Sequence, residues 1–331
     1  FRSLRRAWIS FCLLTGAYVL SLFSEQLAND RPLVLSYQGE WHFPTLKFYP
    51  GEKFGGPYRT EADYIALEVS PAFREKGGWM IFPPIKANPL RSYLDQAGNP
   101  PHAPSRAHWL GTDDSARDVL ARLLYGFRTS MSFALALAVL STVIGIIIGC
   151  IQGYFGGWFD LATQRLIEIW SALPFLYVVI LIGAIYGQTF AVLLFVFCLF
   201  DWIGLSYYMR GESYRLKNQT FTQAARALGA GHGRILYRHI LPNAMVPVIT
   251  LFPFILIGGI SSLTALDFLG FGLPPPTPAW GERLQPGLSH LYAPWLATAS
   301  VSSLFLTLLL AGFVGEGARA AFDPRSSNSI R

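Results

Sequence analysis

Charge is what this sequence lacks most. Only 14% of its 331 residues are Asp, Glu, Lys or Arg, against roughly 25% in an average soluble domain. With 52% apolar residues, the composition is that of a chain that meets lipid. A disordered or nucleic-acid-binding chain is excluded as well, because aromatics reach 15% and the net charge is only +6. Cysteine is scarce, and Cys12, Cys150 and Cys198 all sit in apolar runs, which argues against a disulfide scaffold or a metal cluster. No lysine follows a glycine, so there is no Walker A loop. H-E-x-x-H, G-x-S-x-G and G-x-G-x-x-G are missing too, and the six histidines lack metal-ligand spacing. The chain reads as no enzyme, with no metal or cofactor of its own.

What is present is a series of long charge-free runs. Ala7–Ser24, Thr129–Phe159, two crossings within Ile169–Phe200, His239–Leu266 and Leu284–Gly315 predict six membrane spans. A cleaved signal peptide is the rival reading of the first run, but no A-x-A site follows it. Positions 210–242 carry Arg210, Arg215, Lys217, Arg226, Arg234 and Arg238 against the single acid Glu212. Such a basic short loop belongs in the cytoplasm, which places both termini inside and residues 25–108 outside. That outer segment is neutral, with nine basic and nine acidic residues. Arg117, Arg122 and Arg128 fit less well, and 115–127 is read as an amphipathic interfacial helix.

The expected organisation is a membrane anchor at 1–24, then a periplasmic module with the interfacial helix at 25–125. A five-helix core at 126–321 carries the loop 210–242, and 322–331 forms a cytoplasmic tail. Residues 25–110 are rich in proline, glycine and aromatics, which predicts a loop-rich, partly stranded module. Gly145, Gly149, Gly153 and Gly157 recur every fourth residue. They predict a helix face that another backbone approaches closely, within this subunit in preference to between subunits.

The segment from Phe221 to Asn243 carries the most information. Phe221, Ala224, Ala225 and Leu228 fall at i, i+3, i+4 and i+7, a short helix with one small-residue apolar stripe. Gly229 is placed to end it in a left-handed conformation, and Pro242 suits the first turn of the next helix. Such a helix is shaped for a groove on a partner; an ordinary surface loop is the alternative. Asp201 lies well inside a span, where a carboxylate needs a water-filled path or a partner such as a hydroxyl. It is therefore a candidate substrate-path residue or else a satisfied packing pair.

Gln223-Ala-Ala-x-x-x-Gly229, with Arg238 and Leu241-Pro-Asn243 downstream, resembles the EAA signature of the membrane subunits of ATP-binding-cassette importers. In that family the loop forms a coupling helix that docks on the ATPase. This likeness assigns Gln223, Ala224, Ala225, Leu228, Gly229, Arg238, Pro242 and Asn243 to the coupling site. Leu110-Gly-Thr-Asp113, Arg117-Asp-Val-Leu-Ala-Arg122, Gly153-Tyr-Phe-Gly-Gly157 with Asp160, and Leu269-Gly-Phe-Gly-Leu-Pro274 with Trp280-Gly281 are similar to the second permease of the dipeptide/oligopeptide group. Ser24-Glu-Gln-Leu-Ala-Asn-Asp30, Trp41-His-Phe-Pro44 and Phe54-Gly-Gly-Pro57 resemble the Yej-type branch, which imports oligopeptides and the peptide-nucleotide antibiotic microcin C. The family's glutamate is Gln223 here, which removes one charge from the coupling helix.

The resemblance implies the type I importer fold, an all-α polytopic protein of six helices with a periplasmic insertion after the first. It implies a bacterial inner-membrane location and alternating access, and a second permease subunit completing a heterodimer. ATPase subunits would hold ATP and Mg, and a periplasmic peptide-binding protein would deliver substrate. The periplasmic module would contact that binding protein or the partner permease. An ion-coupled secondary transporter and a non-transporting membrane anchor are the alternatives from other classes; no internal repeat supports the first.

Overall fold

The computed structural model describes residues 4–56, 58–94 and 98–322. Pro57 and positions 323–331 of the expected tail lie outside the described residues. The helices are α1 Arg5–Leu22, α2 Ser24–Leu27, α3 Tyr64–Val69, α4 Pro71–Glu75, α5 Val119–Phe155, α6 Gly157–Ser171, α7 Phe175–Tyr186, α8 Phe190–Lys217, α9 Thr220–Ala227, α10 His232–Ile235, α11 Met245–Phe268, α12 Leu284–Ser289 and α13 Pro294–Phe322. Three strands, β1 Val34–Tyr37, β2 Glu40–His42 and β3 Trp79–Ile81, form one antiparallel sheet in the order β2-β1-β3. The chain divides into two compact units.

One unit comprises Gly16–Thr129 and Pro275–Leu304. Its sheet is closed by a two-residue turn, Gln38-Gly39, with φ of 52° and 81°; positive φ at both positions suits the twist of a tight hairpin. Leu35 and Tyr37 point inward onto Phe54, Tyr64 and Phe73, and the Tyr37 and Phe73 rings stack at 5.5 Å. Asp63 caps α3 by accepting from the Ile65 and Ala66 N–H groups at 3.2 Å. The expected loop-rich, partly stranded character of this region is what the chain adopts.

The other unit comprises Phe1–Thr15, Ser130–Pro274 and Phe305–Arg331. Two apolar clusters hold it. One gathers Phe133, Leu137, Val179, Leu193, Phe197 and Leu263. The other gathers Tyr154, Leu205, Met209, Leu216, Ile235, Ile240 and Val248.

By length and composition, Val119–Phe155, Phe190–Lys217, His232–Phe268 and Pro294–Phe322 can cross a membrane. α6 and α7, bent by 72°, can together supply a fifth span. Pro174 sits at that break, and a proline disfavours helix in the residue before it. α1 lies where the first span is expected, but its opening arginines keep it below the same apolar measure.

Several expected bounds are corrected. Residues 119–127 are not a separate interfacial helix: they are the first turns of α5, which runs unbroken past the expected border at 125/126. The bent α6–α7 pair starts at Gly157 rather than Ile169, because Gly156 and Gly157 both take positive φ and break the helix there. The last long helix starts at Pro294, not Leu284; α12 precedes it as a separate short element.

Candidate functional site

α9 is the exposed helix of the basic loop, and the structure divides its expected apolar stripe. Thr222 and Ala225 turn inward, and the Thr222 hydroxyl donates to the Leu216 carbonyl at 2.8 Å. Phe221, Ala224 and Leu228 face outward, Leu228 with 89% of its surface exposed. The division is geometric, since positions 222 and 225 form the face next to α8 while 221, 224 and 228 lie on another. Ala225, expected on the docking face, is 9% exposed and belongs to the chain's own core. A bulky residue there tests folding before it tests docking.

The helix ends as its glycine predicts. Gly229 has φ of 80°; its N–H donates to Arg226, and the Ala230 N–H to Ala225, both at 3.0 Å. That pair of bonds is the Schellman closure. Gln223 Nε2 donates to the Asn218 carbonyl at 3.1 Å, so the residue at the family's glutamate position fastens α9 to the end of α8.

Downstream, Leu236–Ile240 is π-helical and Leu241–Ala244 is 3-10. Pro242 thus lies in the first turn of a helix, as expected, but that helix is a short 3-10 segment within the longer run His232–Phe268. The changed hydrogen-bond register accommodates a residue with no N–H to give. Asn243 Nδ2 donates to His239 O at 2.7 Å, and Arg238 is exposed.

The loop is tied to α5 as well as to α8. Tyr154 Oη and His232 Nδ1 lie 2.8 Å apart, and the Arg226 guanidinium sits 5.8 Å from the Tyr154 ring centroid. Arg210 grips Asp160 through two of its nitrogens, Nε to Oδ1 at 2.6 Å and Nη2 to Oδ2 at 2.7 Å. A fork of this kind fixes orientation as well as charge. The loop that carries α9 is thus joined to α5 and α8, and α8 in turn to α6.

Three of the four glycines make the α5–α8 contact. A Cβ on Gly145, Gly149 or Gly153 would meet backbone oxygens of Trp202, Ser206 and Arg210 at 3.0, 2.4 and 2.2 Å. Gly157 departs from the stripe: a Cβ there would meet nothing within 4 Å, and the residue serves the turn into α6 with φ of 57°.

Asp201 Oδ2 accepts from the buried Ser141 hydroxyl at 2.9 Å, the hydroxyl partner a carboxylate at that depth requires. If Asp201 acts only through this packing pair, Asp201→Asn should leave uptake in whole cells within about twofold, since the amide keeps an acceptor for Ser141. A loss of about tenfold or more at normal abundance would instead give the charge a role in the path.

Sequence reasoning missed a second constellation. Arg122 is completely buried; its Nη1 donates to Pro89 O at 3.2 Å and its Nη2 to Glu282 Oε2. Arg117 Nε donates to Asp113 Oδ2 at 2.8 Å, and its Nη2 lies 3.6 Å from Glu282 Oε1. Arg283 Nη1 donates to Val119 O at 2.8 Å, and Trp280 Nε1 to Leu123 O at 3.1 Å. Burial, together with the like charge of Arg122, holds the Arg283 guanidinium below the ordinary arginine value. Arg117 and Arg122, ill-placed by charge counting, are thus the partners of Asp113 and Glu282. Arg128 stands 4.8 Å from the Tyr125 ring centroid. The resembling motifs 110–113, 117–122 and 280–281 therefore converge on one latch, and Glu282 and Arg283, directly after Trp280-Gly281, were its unread signal.

The Leu269–Pro274 motif is explained by Asp267. Its Oδ1 accepts from the Leu273 N–H at 2.8 Å, and a Cβ on Gly272 would lie 1.9 Å from that oxygen. Asp267 is itself buried and serves as a clamp on the loop.

Comparison with known proteins agrees with this architecture. Residues 141–328 match the model of the binding-protein-dependent transport system inner membrane component. The chain is 43% identical to the peptidoglycan transport system permease protein YejE of Agrobacterium fabrum, over 99% of this chain and 92% of the relative. It is also 43% identical to the inner membrane ABC transporter permease protein YejE of Escherichia coli K12, over 99% and 96%. A putative peptide permease protein of Brucella suis is 36% identical over 68% of this chain and 75% of its own length. With the family match covering most of the helical core and YejE permeases alike from end to end, the chain belongs to the binding-protein-dependent inner membrane components, the permease subunits of ABC importers.

Proposed function

We propose that this chain is one half of the pathway of an ATP-driven peptide importer, and that α9 is where force enters it. The observation that carries the reading is the helix itself, with Phe221, Ala224 and Leu228 outward while Thr222, Gln223 and Arg226 fasten its other sides to α8 and α5. An apolar face on a rigid mount suits a groove on a cytoplasmic ATPase. Six spans with one such helix make half a channel, so a second permease pairs with this one. α1 supplies the first span and the bent α6–α7 pair the third.

Both termini and the basic loop 210–242 lie in the cytoplasm. ATP and Mg sit on the ATPase partners. A periplasmic binding protein delivers the peptide, ATP binding turns the pathway outward, and hydrolysis returns it inward. Oligopeptides are the proposed cargo, with microcin C among them, on the likeness to the Yej-type branch; the relatives named for peptide and peptidoglycan transport support that class.

The test is Leu228→Glu in the reconstituted importer. A carboxylate on the docking face should cost on the order of 1–3 kcal/mol of contact, which is a loss of ~5- to 150-fold in coupled ATP hydrolysis and peptide uptake. Because Leu228 touches little of its own chain, abundance should stay normal. Undiminished uptake in that variant would remove α9 from the coupling role. Microcin C sensitivity of cells carrying only this permease tests the cargo separately.

A further inference from the structure

The sheet of the module has a second face whose outer side chains, Trp41, Trp79 and Ile81, stand open among the described residues. The register sets Trp41 and Trp79 on either side of Ser36, and Ile81 beside Val34; period-two alternation puts these side chains on one face, opposite the core residues Leu35 and Tyr37. The two indoles touch edge to face at 5.6 Å. Trp41 is 63% exposed, and Phe43, Phe48 and Ile81 are also open. Just beyond β2 the chain makes a turn in which the Leu46 and Lys47 N–H groups both donate to Phe43 O. Leu46 stands at its tip, 78% exposed.

We propose that this face and the Leu46 tip rest in the interfacial layer of the bilayer, as a lipid contact of the module. Three observations select lipid. Indoles with a protruding aliphatic tip are the residue types that settle at the water–lipid boundary. The run from Trp41 to Tyr49 contains no acid and, besides the buried His42, one base, the exposed Lys47 between Leu46 and Phe48, which suits anionic headgroups. Finally, the module is held without a free linker to the end of α1. α2 begins two residues after Leu22, the Ala28 N–H donates to Ser24 O at 2.7 Å, and Tyr125 Oη donates to Ala28 O at 3.0 Å. The last turns of α1, from Gly16, belong to the same compact unit as the sheet.

An environment-sensitive fluorophore on Leu46→Cys, in a chain whose Cys12, Cys150 and Cys198 are alanine, tests this in the whole importer in lipid nanodiscs. If that background does not assemble, a fluorescent amino acid incorporated at position 46 of the natural chain gives the same reading. Quenching by lipids with nitroxide on the acyl chain, protection from iodide and blue-shifted emission are the expected result. Val69, exposed on α3, is the reference that iodide should quench and lipid should not. Iodide quenching at both positions, or protection at 46 only when the binding protein is added, overturns the proposal, the latter in favour of a protein partner. Peptide-stimulated ATP hydrolysis by the same samples reports separately on the importer reading.

Discussion

Gly153→Val is expected to abolish assembly of the subunit, while Gly157→Ala, four residues on, is expected to be tolerated. A Cβ at 153 would stand 2.2 Å from the Arg210 carbonyl oxygen and 2.9 Å from Ser213 Cβ. The first obstacle is backbone, so relief requires α5 and α8 to move apart. That movement would also strain the Arg210–Asp160 fork and the bond from Ser213 Oγ to Cys150 O, 2.9 Å long. Overpacking alone costs ~1–3 kcal/mol, and the lost polar contacts add to it. At Gly157 a methyl group meets nothing within 4 Å, and only the positive φ opposes it, at about 1 kcal/mol. Gly149 should behave like Gly153, with a Cβ 2.4 Å from Ser206 O, and Gly145 more mildly at 3.0 Å. Abundance in membranes and survival of the purified complex on heating give the ranking. Equal abundance of the Gly153 and Gly157 variants would show that the close α5–α8 contact is not what these glycines serve.

The second large effect lies in the latch. Glu282→Ala removes the carboxylate that faces both Arg122 and Arg117. Arg122 has no exposed surface through which water could replace it. Breaking one side of a buried pair costs roughly 3–5 kcal/mol, because the remaining charge stays desolvated with only Asp113, 3.8 Å from its Nε, left opposite it. The expected result is a complex that loses activity at a clearly lower temperature and is cut by protease within 275–293. Exchanging both partners, as Arg122→Met with Glu282→Leu, should recover much of the loss, since apolar groups of similar volume need no counter-charge. A double variant as unstable as Glu282→Ala would mean that the pair matters for more than mutual neutralisation.

Much of the helical layout was legible because lipid imposes a simple rule: a charge-free run of sufficient length must be a helix. Gly229 was legible for a local reason, since a helix followed by glycine closes through backbone geometry that neighbours do not alter. The glycine stripe was readable as a contact, and only Gly157 misled, because a turn glycine can fall in register with a packing series by chance of spacing.

Periodicity in the sequence determined that Thr220–Ala227 is a short amphipathic helix, and composition determined that residues 25–110 are not a bundle. Which side of the helix is free was decided by tertiary structure. Both Ala224 and Ala225 suit an apolar stripe, and only the position of α8 sends Ala225 inward and leaves Ala224 with Leu228 outside. The latch could not be read at all. Arg122 and Glu282 are 160 positions apart, and no local propensity records a pairing made by long-range folding. Helices and caps follow from neighbours in sequence; the partners of buried charges follow from neighbours in space.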